Sequence, residues 1–241
     1  MFNKRTLTDL DIKLLKEKYP NNFEEQIEKV KNGFPIQYLI GNVDFLNVTI
    51  NVNEHVLIPR FETEYLVEKV LKKVEKYKNE NLNLLDICTG SGCIAIAIAK
   101  NTTFNCTGID ISKDALDVAK ENAKNNNVIV QYEQFDILND NLSNDYDIII
   151  SNPPYISKEE NVDKSVLYEP QIALYAEDNG LIFYKKILEQ IKNQPKLIAF
   201  EIGETQGNDV YNLVSKKFPN AKITLEQDLS GKDRYIFIEF N

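Results

Sequence analysis

The chain has one histidine, His55, and no tryptophan in 241 residues. With a single imidazole, a multi-histidine zinc site and a two-histidine iron site lack parts. A serine triad lacks its base, because His55 falls in a strand-to-loop stretch and reads as a turn or surface residue. No metal is expected. Cysteine is scarce too: Cys88, Cys93 and Cys106 sit in or beside apolar runs, where reduced thiols pack as small hydrophobes. No apolar run approaches the roughly 20 residues that a bilayer helix needs. Met1-Phe2-Asn3-Lys4-Arg5 leads into a charged segment instead of a signal-peptide core. A cytoplasmic protein with no membrane partner is expected. Positive charge is in deficit, 28 Lys and Arg against 37 Asp and Glu, and the net charge of -9 disfavours broad adhesion to nucleic acid.

What is present is enough chain for one large α/β domain and a small appendage. Apolar positions at helical spacing predict two helices, 7–18 and 22–32, separated by Tyr19-Pro20-Asn21-Asn22. Gly33-Phe34-Pro35 ends them. The stretch Phe45 to Val52 alternates like a half-buried strand, expected in a hairpin with Tyr38-Leu39-Ile40. The expected organisation is a helical region 1–34, a β-hairpin linker 35–60 and a catalytic domain 61–241. A helix over 62–78 has its lysines and glutamates on a solvated face. Strands are then expected at 83–87, 105–109, 128–133, 146–150, 196–202, 221–226 and 234–239, and helices at about 92–100, 113–125, 180–192 and 206–217. Strand–helix alternation implies a Rossmann-like, mostly parallel, doubly wound sheet of seven strands, its last two close enough for an antiparallel hairpin. Ligands would sit at the carboxyl ends of its strands.

The run Asp86-Ile87-Cys88-Thr89-Gly90-Ser91-Gly92 joins a strand to a helix through a tight turn of small residues, where glycine lets backbone approach a ligand. A third glycine of the dinucleotide fingerprint is missing, since Cys93-Ile94-Ala95 follows, and this disfavours a nicotinamide dehydrogenase. Asp86 before the turn suits a ligand with an ammonium and no pyrophosphate, as in the methionine part of S-adenosylmethionine. Asp110 ends the second strand, where a carboxylate can accept from both ribose hydroxyls, or else cap the next helix together with or in place of Ser112. After the third strand, Asp136 can accept from the adenine amine and Ile137 cover a face of the ring.

The fourth strand runs into Ser151-Asn152-Pro153-Pro154-Tyr155. An amide nitrogen is a poor nucleophile because its lone pair is delocalised, so a catalyst must orient and polarise it. The Asn152 side-chain oxygen and the Pro153 carbonyl can accept two N–H bonds and aim the lone pair at a sulfonium methyl. Pro153 and Pro154 stiffen the turn, and Tyr155 can stack on a planar substrate group. No strong base is required, because the nitrogen becomes acidic once methylated. These residues by themselves specify only methylation of a planar amide or amino nitrogen.

With these motifs in order, the chain resembles the HemK/PrmC family, glutamine N(5)-methyltransferases of peptide-chain release factors. The resemblance rests further on Pro35 to Gly41, Val56 to Glu64, Asp110 to Ser112 with Ala115-Leu116, Glu169-Pro170 with Ala173-Leu174, Gly180-Leu181, Glu201-Ile202-Gly203, and Asp228-Leu229 with Arg234. It implies a class I S-adenosylmethionine-dependent methyltransferase fold, with cofactor contacts at Cys88 through Gly92, Asp110 and Ile137. It implies too that Asn152 through Tyr155 hold a glutamine of a class I release factor, the N-terminal helices docking that partner. Cys88 stands for a common glycine, Phe61 for a common proline and Ile137 for a common aromatic, and the leading helical region is shorter than in many members. A ribosomal-protein glutamine methyltransferase, a nucleic-acid exocyclic-amine methyltransferase and a non-catalytic cofactor-binding protein remain as alternatives. Glu62-Thr63-Glu64 disfavours the first, and the second needs basic surfaces that track phosphates. Lys72, Lys73, Lys76 and Lys78 read instead as one helix face.

Overall fold

The structure, a computed structural model, describes residues 7–143 and 145–240; the charged start Met1–Arg5 lies outside the described residues. Helix α1 (Asp9–Lys18) begins at Thr8, whose hydroxyl accepts from the Asp11 N–H while the Asp11 carboxylate accepts from the Thr8 N–H. This reciprocal cap satisfies two donors that a helix start leaves open. Leu15 of α1 packs with Ile27 and Val30 of α2 (Phe23–Lys31), and with Ile36 and Leu39, in an apolar cluster of its own.

Tyr38-Leu39-Ile40 is not the expected strand. It belongs to a short helix, α3 (Ile36–Ile40), opened by Pro35 with its preset φ and ended by Gly41 at φ 88°. Burial of Ile36 and Leu39 in the N-terminal cluster outweighs the strand preference of their neighbours. The hairpin lies wholly within 42–51. In it β1 (Asn42–Phe45) pairs antiparallel with β2 (Val48–Asn51), and Leu46 at φ 49° turns the corner. Alternation marks a strand only from Val48 onward; Phe45 faces Val48 across the turn.

From α4 (Phe61–Val74) the chain alternates as expected: β3 (Asn83–Ile87), α5 (Cys93–Asn101), β4 (Asn105–Asp110), α6 (Lys113–Asn125), β5 (Val130–Gln134) and β6 (Ile148–Ser151). Next come α7 (Ile182–Gln190), β7 (Leu197–Glu201), α8 (Gly207–Lys217), β8 (Lys222–Gln227) and β9 (Asp233–Glu239). Acids in the first turn of α4 and lysines in its last complement the helix dipole. This helix stops at Val74, and 75–77 form a single 3₁₀ turn. Helix α7 starts at Ile182 because Asn179 (φ 53°) and Gly180 (φ 82°) hold non-helical backbone.

The seven strands lie in the order β5-β4-β3-β6-β7-β9-β8, parallel except for β9. Successive residues face opposite layers. Leu84, Ile148, Ile150, Ala199 and Phe237 pack beneath α4, α5 and α6. Leu85, Ile149, Ile198, Phe200 and Ile236 pack beneath α7 and α8. Both faces are covered, so the central strands read as continuous apolar runs. No helix among the described residues is long and apolar enough to cross a membrane.

Candidate active site

From β3 the sheet grows through β4 and β5 to one side, and from β6 it grows through β7 to the other. Loops leaving β3 and β6 therefore diverge, which opens a crevice at the strand ends. Ser151 ties the two ends together by donating its hydroxyl to the Ile87 carbonyl at 2.7 Å. The crevice encloses about 880 Å³ of space, part of it open to solvent. Cys88, Gly90, Asp110, Ile111, Phe135, Asp136 and Ile137 line it. Asn152, Pro154 and the exposed His55 line it as well.

The loop after β3 is folded by specific bonds. Gly92, at φ 81°, starts α5, and a Cβ there would lie 2.6 Å from the Tyr132 hydroxyl and 3.0 Å from Ala119, so only glycine fits. Asp110 accepts from the Gly90 N–H (2.9 Å) and the Ser112 N–H (2.9 Å), linking the loop to the tip of β4. The capping alternative for this tip is settled by Ser112, whose hydroxyl accepts from the Ala115 N–H and caps α6. Asn122 of α6, fully buried, donates to the carbonyls of Ser91 and Asn51 (both 3.0 Å) and accepts from the Asn51 N–H (2.8 Å), joining loop to hairpin.

Asp86 lies beneath this loop, fully buried and off the crevice wall. Its Oδ2 accepts from the Thr89 hydroxyl (2.6 Å) and the Ala95 N–H (3.2 Å), while Oδ1 is buried without a partner. Burial pushes its carboxyl up to about 7, against the lowering effect of those two bonds. Burial raises the Asp110 carboxyl as well, and pushes the Cys88 thiol well above its ordinary range, which removes it as a nucleophile. Cys88 adopts φ 60°, a left-handed conformation that glycine takes without strain. Asp136 accepts from the Leu138 N–H and the Asn139 amide.

Among the expected site residues, Cys88, Gly90, Asp110, Asp136, Ile137, Asn152 and Pro154 meet at the crevice, whereas Asp86, Thr89, Ser91 and Gly92 support it from below. Pro153 and Tyr155 face a second cavity of about 650 Å³, lined as well by Leu57, Arg60 and Glu201. Asn152 borders both. Its Nδ2 donates to the Thr63 hydroxyl at 2.9 Å, which points Oδ1 the other way, and that oxygen accepts no hydrogen bond among the described residues. The Pro153 carbonyl accepts none either. Two acceptors on one rigid turn are left free for a ligand bearing two N–H groups.

The turn is braced from behind. Gln206 donates to the carbonyls of Tyr155 and Asn179 (both 3.0 Å). Gly180 packs so closely that a Cβ would lie 2.1 Å from the Tyr155 carbonyl oxygen. Arg60 pairs with buried Glu169 at 2.5 Å, and Glu169 accepts from the Ile58 N–H. Arg60 thereby lines the second cavity, while Glu64 accepts from the Leu46 N–H and anchors the hairpin.

Sequence reasoning gave no role to Glu201, which is fully buried and accepts from Thr63 (2.7 Å) and Tyr155 (3.3 Å). Burial pushes its carboxyl up to about 7. A signal was present: Leu197-Ile198-Ala199-Phe200-Glu201 is a buried strand ending in an acid, and a buried acid needs partners. Lys72 pairs with Glu68, Lys73 with Glu226 and Glu239, and Lys78 with Glu75, while Lys76 lies over the Tyr77 ring. Among the described residues no cluster of three or more His, Cys, Asp or Glu side chains could hold a metal.

Residues 62–174 match the methyltransferase small domain family. The chain is 40% identical over 240 residues to a release factor glutamine methyltransferase of Lactococcus lactis, covering 97% of this chain and 84% of that protein. It is 44% identical over 213 residues to one of Streptococcus pneumoniae, covering 85% and 75%. Among solved structures, a T. thermophilus 16S rRNA N2 G1207 methyltransferase in complex with AdoMet and guanosine superposes with a TM-score of 0.60. It shares 14% identity over 83% of this chain and 50% of that one, a likeness of fold alone. The sheet thus has the fold of that methyltransferase, and the family match and the curated relatives place the chain among methyltransferases.

Proposed function

This chain belongs to the release factor glutamine methyltransferase family, and from that premise we propose that it methylates the side-chain amide nitrogen of the glutamine in the Gly-Gly-Gln motif of class I peptide-chain release factors. The observation that carries the reading is the pair of unused acceptors, Asn152 Oδ1 and the Pro153 carbonyl, on the wall between two cavities. A carboxamide has two N–H groups to give them.

The residues of the crevice fit S-adenosylmethionine. Gly90 lines it at φ 54° with nothing within 4 Å of where a Cβ would stand, so any side chain there would project into the open space. Asp86 Oδ1 is a buried acceptor without a partner, suited to the field of a cationic ligand. Asp110 would accept from the ribose hydroxyls, and Asp136 and Ile137 would hold the adenine. When bound, the cofactor supplies an electrophilic methyl group on a sulfonium. Asn152 and Pro153 would draw the two amide hydrogens into fixed directions, so that the nitrogen lone pair is aimed at that methyl. Tyr155 packs against the carboxamide plane. The N–C bond would form as the S–C bond breaks, and the methylated nitrogen, now strongly acidic, would release its extra proton to water with no dedicated base.

The lysines of α4 are held by carboxylates, which favours a protein substrate over a polyanion. The helical region up to residue 34, with its separate apolar cluster, is the segment that docks the partner. The test is transfer of tritium from labelled cofactor to a purified class I release factor, beside a Gln→Ala variant of its Gly-Gly-Gln loop. Label is expected on the unaltered factor alone; label that persists on the variant, or appears only on RNA or DNA, overturns the reading. Asn152→Ala should bind cofactor normally and slow transfer by about 10²–10³-fold.

A further inference from the structure

Thr63 has one hydroxyl proton and two neighbours. It donates to Glu201 Oε2 at 2.7 Å, and Asn152 Nδ2 approaches the same oxygen at 2.9 Å. With its only proton given to a carboxylate, the Thr63 oxygen can only accept from Asn152. A carboxamide has a donor end and an acceptor end, so fixing one fixes the other: the Asn152 amine faces Thr63, and its oxygen faces the cavities. Reversing the relay reverses the outcome. If Glu201 carried the proton on Oε2 it could donate to Thr63, whose own proton would then turn to Asn152 and draw the oxygen inward. The amine would then face the acceptor nitrogen, presenting donor to donor.

We propose that Thr63 and Glu201 are positioning residues that set the polarity of the Asn152 carboxamide, so that its oxygen meets the acceptor amide. The proposal rests on Asn152 receiving the substrate, as argued above. Both partners are buried, Thr63 at 3% exposure and Glu201 at 1%, so little solvent reaches the relay. Glu201 sets Tyr155 too, through its other oxygen, and so holds both polar members of the turn at once.

Several groups face Glu201. Glu62 comes from α4, Tyr155 from the turn, Cys93 from α5, Tyr184 from α7, and Arg234 and Tyr235 from β9. Arg234 is the cation among them, and it is engaged by Asp228 and the Ile202 carbonyl. The tyrosines and Cys93 are held above their ordinary range and stay neutral near pH 7, so Glu201 is the member whose protonation reverses the relay there.

The experiment measures methyl transfer to an unaltered release factor, with calorimetry for cofactor affinity and thermal melting for integrity. Thr63→Val keeps shape and removes the acceptor. It should lower kcat about tenfold or more, with the release-factor KM and the cofactor Kd within about threefold of the parent. Thr63→Ser should restore kcat to within about threefold. The unaltered enzyme should lose kcat as pH falls through about 7, and Glu201→Gln should lose that limb because its amide does not titrate. A Thr63→Val enzyme with full kcat, or a Glu201→Gln enzyme with the acid limb intact, overturns the proposal. Failure of the unaltered enzyme to label the factor's glutamine would instead remove the functional reading beneath it.

Discussion

The Ser151 hydroxyl donates to the Ile87 carbonyl at 2.7 Å, one strand end to the other. Ser151 is fully buried, so nothing else can satisfy that donor. Ser151→Ala is expected to lower unfolding free energy by about 1–2 kcal/mol in urea titrations. An unchanged midpoint would mean that the bond contributes nothing net.

Asp110 braces the loop, and the proposed cofactor site gives it a ligand to hold as well. Its oxygens already accept from Gly90 and Ser112, and both retain lone pairs for a ribose. For Asp110→Ala, calorimetry should show cofactor affinity weaker by about 2–3 kcal/mol, the worth of charge-assisted hydrogen bonds. Unaltered affinity would refute the ribose role.

Cys88 carries left-handed backbone where a β-branched residue cannot rest. Cys88→Val should destabilise by about 2 kcal/mol or more in urea titrations, whereas Cys88→Gly should stay within about 1 kcal/mol of the parent, relief of strain offsetting added chain entropy. If valine is tolerated as well as glycine, the loop is not strained.

Asp86 should make stability fall as pH rises. Its carboxyl is lifted by burial from an ordinary value of 3.8 to about 7, so in that interval the folded chain holds a proton that the unfolded chain has lost. Its contribution is greatest below pH 4, declines between 4 and 7, and is level above. Asp86→Asn removes that decline, and the difference between parent and variant unfolding free energies should follow this curve. A difference independent of pH would show that the Asp86 carboxyl titrates alike in the folded and unfolded chain.

The strand tips were legible because polarity changes sharply there: Asp110 follows an apolar run, and Asn152 follows Ile148-Ile149-Ile150-Ser151. Asp86 was legible as a residue and not as a position, since a sequence does not say which side of a turn a carboxylate takes. Tyr38-Leu39-Ile40 was misread because its conformation is decided by a distant cluster around Leu15 and Ile27. The Thr63–Glu201 bond spans 138 positions and exists because α4 packs across β7, which no local pattern encodes.

The buried carboxamide of Asn122 gives the hairpin a part in the chemistry that its distance from the strand tips conceals. One side chain gauges both the second hairpin strand at Asn51 and the proposed cofactor loop at Ser91. The loop's curvature is therefore borrowed from residues some forty positions earlier. A chain shortened to begin after Val52 would keep every cofactor motif from Asp86 to Gly92 and lose the template against which that turn is shaped.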